Sequence, residues 1–173
     1  MPGRNSKQAY EQYSDPILRV LGCITPDKLI CKGGFHDSAP NRKSILTFAT
    51  NPATIPKSGL TLFFLQEFSF VHQATEKDWK VKTHKYTYAI ERADDKQEVL
   101  AFHWQDQSSK VHYPHAHMDL IHISRKAHIP TGRVPLEDVV WFLIKELDVQ
   151  PLNKKWDKII LEAREKFIKF KTW

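Results

Sequence analysis

Val99-Leu100-Ala101-Phe102-His103-Trp104-Gln105, followed after a polar turn by Tyr113-Pro114-His115-Ala116-His117-Met118-Asp119-Leu120, decides how this chain folds. Apolar side chains alternate with others in both stretches, and residues two apart on a β-strand project from the same face. Leu100, Phe102 and Trp104 then face a core, as do Ala116, Met118 and Leu120. Paired as an antiparallel hairpin, the strands bring Ala101 and His103 beside His115, His117 and Asp119 on the opposite face.

Upstream, residues 79–92 extend the meander, with His84, Tyr86, Tyr88 and Ile90 sharing one face and Ala93-Asp94-Asp95-Lys96 turning the chain. Residues 60–71 form a long strand with a bend expected at Gln66-Glu67, and 45–50 a short one. Segments 32–44 and 51–59, rich in Gly or Pro, read as connections. Helical spacing of Tyr10, Tyr13, Ile17 and Leu21 predicts short helical segments over 6–22, with Asp15-Pro16 capping one and starting another. Pro135 opens a buried helix over 136–147, whose first turn holds Glu137 and Asp138, favoured there by the helix dipole. Trp156, Ile160, Ala163, Phe167 and Phe170 form the apolar stripe of a last helix. The expectation is one α+β domain over 1–173: an antiparallel sheet of about five strands, with N- and C-terminal helices packed on one face.

Bulk properties narrow the function. With 173 residues, 41% hydrophobic and 27% charged, the chain is an ordinary globular protein. No apolar run approaches the ~20 residues of a membrane span, and the polar N-terminus lacks a signal-peptide core. Two cysteines, Cys23 and Cys31, point to a reducing, cytoplasmic setting, and without a Cys-x-x-Cys pair a thiolate zinc site is disfavoured. The net charge of +6 and pI near 9.3 suit a polyanionic partner such as RNA.

Six of the nine histidines fall between positions 103 and 128. Imidazoles aligned on a rigid strand suit two chemistries near neutral pH. Without a cofactor, His103, His115 and His117 would move protons while Lys85 or Arg133 stabilised a developing anion. With zinc, the same three histidines would hold the ion, and Asp119 or Glu91 would be a fourth ligand or support. A bland alternative makes them hydrogen-bonded structural residues, the reading preferred for His84, His36 and His72. Thr131 and Arg133, just ahead of a helix N-terminus, form a candidate phosphate grip. The last helix carries Lys154, Lys155, Lys158, Arg164, Lys166, Lys169 and Lys171 away from its stripe, so Lys166 and Lys169 become candidate RNA contacts.

Tyr86 and Tyr88, His103-Trp104, Pro114-His115-Ala116-His117, and His128-Ile129-Pro130-Thr131-Gly132-Arg133 leading into a helix together resemble an uncharacterised family of small bacterial proteins. More distantly, the strand–His-x-His–strand–helix order is similar to TumE-like toxins of toxin–antitoxin pairs, where Tyr-Arg-Tyr-Asp precedes His-His-x-His. The corresponding residues here are Tyr86-Thr87-Tyr88-Ala89 and Pro114-His115-Ala116-His117. That resemblance implies a toxin-type ribonuclease with RNA as substrate and an antitoxin protein as partner, and it covers under half of the chain.

Overall fold

A long hairpin organises the molecule. The computed structural model describes residues 2–34, 42–73, 78–105, 111, 113–118 and 128–170. Within them β4 (Leu60–Gln73) and β5 (Asp78–Arg92) pair along their whole length. Around this hairpin lie α1 (Ser6–Leu21), β1 (Leu29–Lys32), β2 (Ser44–Phe48), β3 (Ala53–Ile55), β6 (Glu98–Gln105), β7 (His115–Met118), β8 (Ile129–Pro130), α2 (Leu136–Lys145) and α3 (Trp156–Phe170). The eight strands form one antiparallel sheet in the order β1-β2-β4-β5-β6-β7-β8, with β3 beside β4. The fold is α+β, with helices at both ends of the chain, as expected.

The sheet has eight strands rather than about five. The additional ones are β1, β3 and β8, each four residues or fewer. β3 lies between Pro52 and Pro56, and β8 contains Pro130, so both sit where proline argues against a strand. Proline lacks a ladder donor but is tolerated at sheet edges, and β8 ends the sheet.

One face of the sheet supplies the core. Leu46, Phe48, Leu62, Phe64, Tyr88 and Ile90 are almost fully buried there. Each such side chain contributes roughly 1.5–3 kcal/mol by leaving water. Phe64 stacks on Tyr88 at 5.7 Å with planes 1° apart, and Tyr88 on Tyr86 at 4.9 Å. Over this face lie the helices. α1 begins where the Asn5 side chain accepts a 2.8 Å hydrogen bond from the Gln8 N–H. It then runs through Pro16 without restarting, contrary to expectation. Pro16 is itself buried along with Ala9, Ser14, Val20 and Leu21, and that packing offsets the roughly 3 kcal/mol an interior proline costs. α2 buries Leu136, Val139, Val140, Leu143 and Ile144, and α3 buries Ile160 and Ala163 of its stripe. No helix among the described residues is long and apolar enough to cross a membrane.

Two register shifts matter for the site. Between Glu67 and Phe68 the ladder jumps from Lys85 to Thr83, leaving His84 as the extra residue of a bulge. The irregularity falls beside Gln66-Glu67, where a bend of β4 was expected, but the inserted residue belongs to β5. It also moves His84 off the Tyr86/Tyr88 face, and its Nε2 meets Ser69 Oγ at 2.8 Å. A second shift between Ile90 and Glu91 leaves Val99 extra and sets Glu98 opposite Glu91.

Candidate metal centre

β6 and β7 pair in the register that alternation demands. Leu100 faces Met118, Ala101 faces His117, Phe102 faces Ala116, and His103 faces His115. β8 then adds itself outside β7, with Pro130 opposite His115 and Ile129 opposite Ala116. Thr131 N–H donates to Pro114 O at 2.8 Å and holds this edge. Continued by one step, the register sets His128 opposite His117. Three neighbouring strands thus bring four histidines to the sheet face away from the helices.

The rings are in contact. His103 stacks on His115 at 5.6 Å and on His117 at 4.9 Å. His128 meets His115 edge-on at 4.6 Å and His117 at 4.7 Å. Beneath them Ala101 and Ala89 are buried, as a floor of small residues requires. His115 is also buried, and His117 and His103 are half-buried.

The donor atoms are sorted by their surroundings. His115 Nδ1 lies 3.0 Å from the Tyr113 carbonyl. Only an N–H can donate to that oxygen, which leaves Nε2 as the free lone pair. His117 turns Nδ1 toward Glu98 Oε1 at 3.8 Å and Nε2 toward His128 Nδ1 at 3.2 Å. A carboxylate or carbonyl on the far nitrogen is how metal-binding histidines are oriented. The donor atoms of His115, His117 and His128 all lie within 4.8 Å of one another. Zinc–nitrogen bonds of about 2.0–2.1 Å place two tetrahedral donors roughly 3.3 Å apart. The His117–His128 pair already has that spacing, so these three residues fit a divalent transition metal.

Burial, helped by His117, His115, Lys85 and His128, pushes the His103 pKa down to about 4. Burial and then His128 and His115 lower that of His117. Both rings are therefore uncharged at neutral pH, the form that ligates. His103 Nε2 is buried without a hydrogen-bond partner.

The structure brings together only part of the expected site. His103, His115 and His117 cluster as expected, but the converging set takes His128 in place of His103. Asp119 lies outside the described residues, as do His112, His122 and His36. Among the described residues the carboxylate that approaches His117 is Glu98, with Glu91 opposite it on β5. Lys85, paired between Glu67 and Gln105, is on the histidine face. Thr131 holds the β8 edge through its backbone, with Oγ1 buried and unbonded. Arg133 is on the other face, its guanidinium 5.0 Å from the Trp104 ring centre, so the phosphate grip and the histidines do not form one site. Lys166 and Lys169 are on α3, also across the sheet. Lys166 Nζ lies 3.9 Å from Asp15, and Lys169 Nζ lies 5.2 Å from the Phe170 ring centre. Lys158 lies near Glu162 of the same helix and Arg164 pairs with Asp138 of α2, so acids offset several of these cations.

His128 and Glu98 had faint sequence signals. His128 falls two residues before Pro130, and only strand pairing of that proline-bearing segment reveals it. Glu98 has the parity of Leu100 and reaches the histidine face because Val99 bulges. In comparisons with known proteins the chain matches no family model, no curated protein and no solved structure.

Proposed function

We propose that this chain is a metal-dependent hydrolase centred on His115 Nε2, His117 Nε2 and His128 Nδ1, with zinc the natural ion for three imidazoles. The observation that carries this reading is the convergence of three donor atoms within 4.8 Å, two of them fixed by outer partners. Three protein ligands leave one coordination position for water or substrate, the pattern of catalytic rather than structural zinc. When bound, the ion supplies Lewis acidity and a water acidic enough to act as nucleophile near neutral pH. The chain's own residues do the rest. The Tyr113 carbonyl and Glu98 hold two rings in the ligating tautomer. His103, stacked behind them, keeps them from tilting inward. Lys85 offers positive charge to an anionic substrate, for which the chain's net charge of +6 makes RNA the leading candidate.

A second reading is metal-free, acid–base cleavage of RNA. It is favoured by the 3.2 Å approach of His117 Nε2 to His128 Nδ1, a pair able to share one proton. RNA supplies its own 2′-OH as nucleophile, and a toxin of this type would have a neutralising protein partner.

The deciding experiment is elemental analysis of untagged protein alongside cleavage of RNA and of a phosphodiester reporter. About one zinc per chain, with activity lost to chelator and restored by zinc, is expected. Metal-free protein that takes up no zinc and still cleaves RNA would replace the first reading with the second.

A further inference from the structure

A separate site lies across the sheet from the histidines. A cavity of about 110 Å³, partly open to solvent, is bounded by α1, α3, the start of α2 and the core face of β4 and β5. Its apolar wall includes Ile17, Val20, Val81, Leu136 and Phe167, and its polar wall Tyr13, Gln66, Tyr88, Arg133, Glu137 and Lys166. We propose that this cavity binds a small amphipathic carboxylic acid, its carboxylate toward Arg133 and the first turn of α2 and its hydrocarbon against Ile17, Val81 and Phe167.

Four observations converge on that ligand. First, Glu137 is only 7% exposed, lines the cavity, and leaves Oε1 buried without a hydrogen-bond partner. Buried polar atoms are paired in the great majority of cases, so an orphan on a cavity wall marks where a ligand atom belongs. Second, the N-cap Pro135 brings no side-chain hydrogen bond to the start of α2; Glu137 takes up its own N–H there and Asp138 N–H turns to the Pro135 carbonyl, while the helix end as a whole still favours an anion. Third, Arg133 and Lys166 line the cavity against Glu137 alone; Asp15 offsets Lys166 from 3.9 Å away, and with Glu137 protonated Arg133 leaves the space positive, which disfavours a cation. Fourth, Tyr13 OH donates to Gln66 Oε1 and Gln66 Nε2 donates to Tyr88 OH. That chain leaves the Tyr88 hydroxyl hydrogen to donate to a ligand oxygen.

Glu137 completes the match. Burial pushes its carboxyl up to about 7, with Asp138 adding to the rise, against a hydrogen bond from its own backbone N–H and the weaker pull of Arg164. The groups lining this cavity from the other elements are Tyr13 on α1, Tyr88 on β5, Lys166 on α3 and Arg133 ahead of α2. A protonated Glu137 donates to a carboxylate oxygen, whereas an ionised one repels it. Uptake is therefore expected to favour the acidic side of neutrality. A benzene-sized ligand fills a closed engineered cavity of roughly 150 Å³ in another protein; the volume of about 110 Å³ here is smaller but open on one side, so it suits an acid of a few carbons, or a single ring with one edge left in solvent.

The test uses size-matched probes on the whole chain: benzoate, benzyl alcohol and benzylammonium, followed by two-dimensional amide spectra and thermal shift at millimolar concentration. At pH 6, benzoate should bind about tenfold more tightly than benzyl alcohol, and benzylammonium should not bind. Benzoate affinity should fall about tenfold from pH 6 to pH 8 in the wild type but stay flat in Glu137→Gln. Arg133→Gln should weaken benzoate by about tenfold and leave benzyl alcohol unchanged, a readout that survives if the Glu137 variant does not fold. Equal binding of acid and alcohol, preference for benzylammonium, or no benzoate binding would each overturn the proposal. None of these results bears on the metal centre.

Discussion

The two faces of one sheet follow the same alternation and reach opposite chemistries. On the helix side, β4, β5 and β6 place Phe64, Tyr88 and Leu100, which are sealed by packing. On the other, the intervening residues of β6 and β7 place His103, His115 and His117 over buried alanines. The first face is tied to folding because dense packing leaves no room for change. The second is, on the reading proposed above, the ligand-binding face, because its clustered imidazoles keep nitrogen lone pairs such as His115 Nε2 that packing does not use. The faces should thus separate under mutation, with stability lost from one and metal affinity from the other.

The largest expected effect is on the packed face. Phe64→Ala empties the space between Phe48 and Tyr88 and should lower unfolding free energy by about 3–5 kcal/mol in urea titrations. Zinc affinity of the molecules that remain folded should hardly change. An effect of similar size on both would erase the contrast.

Next comes Glu137, the one acid among the described residues that is buried on the helix side. Glu137 titrates at about 7 when folded, against an ordinary value of 4.5. Below the ordinary value both states are protonated and no difference exists. As pH climbs toward 7 the unfolded chain ionises while the folded one keeps its proton, so stability falls, and above 7 the full penalty is present. Glu137→Gln should therefore gain on the wild type from pH 4 to pH 8, by on the order of 3 kcal/mol. Parallel stability curves across that range would show that Glu137 is solvated.

On the histidine face the effects should be graded. His128→Ala removes a donor and should weaken zinc binding by at least about a hundredfold, with unfolding free energy of the metal-free protein within about 1 kcal/mol of wild type. Glu98→Gln removes only an outer partner of His117, so a loss of about tenfold is expected by competition with a fluorescent chelator. Equal losses in the two variants would mean that Glu98 does more than orient a ring.

What was legible in the sequence follows from where period two persists. Between 99–105 and 115–118 alternation is unbroken apart from Val99, so parity alone anticipates which histidine faces which. Where a residue is inserted, parity reverses: His84 was placed on the wrong side for that reason, and Glu98 was not anticipated at all. Alternation cannot show β8, because two residues carry no period and one of them is a proline. Arg133 misled differently. It follows His128 closely along the chain, but between them the backbone passes from the edge of the sheet to the helix side, where Trp104 waits. Proximity in sequence stood in for proximity in space. The helix-side cavity had no linear signature at all, since its polar wall draws on α1, both strands of the long hairpin, α2 and α3.

The outermost strand has one more consequence. His128 immediately precedes β8, which ends in Pro130, a residue with no amide hydrogen. A border this brief, and half imino acid, gives a stranger's backbone little to grip. Docking a metal there would clasp that margin to its neighbour from the inside. The same short ribbon would then act both as part of the coordination shell and as the seam that keeps copies of the molecule from zipping together.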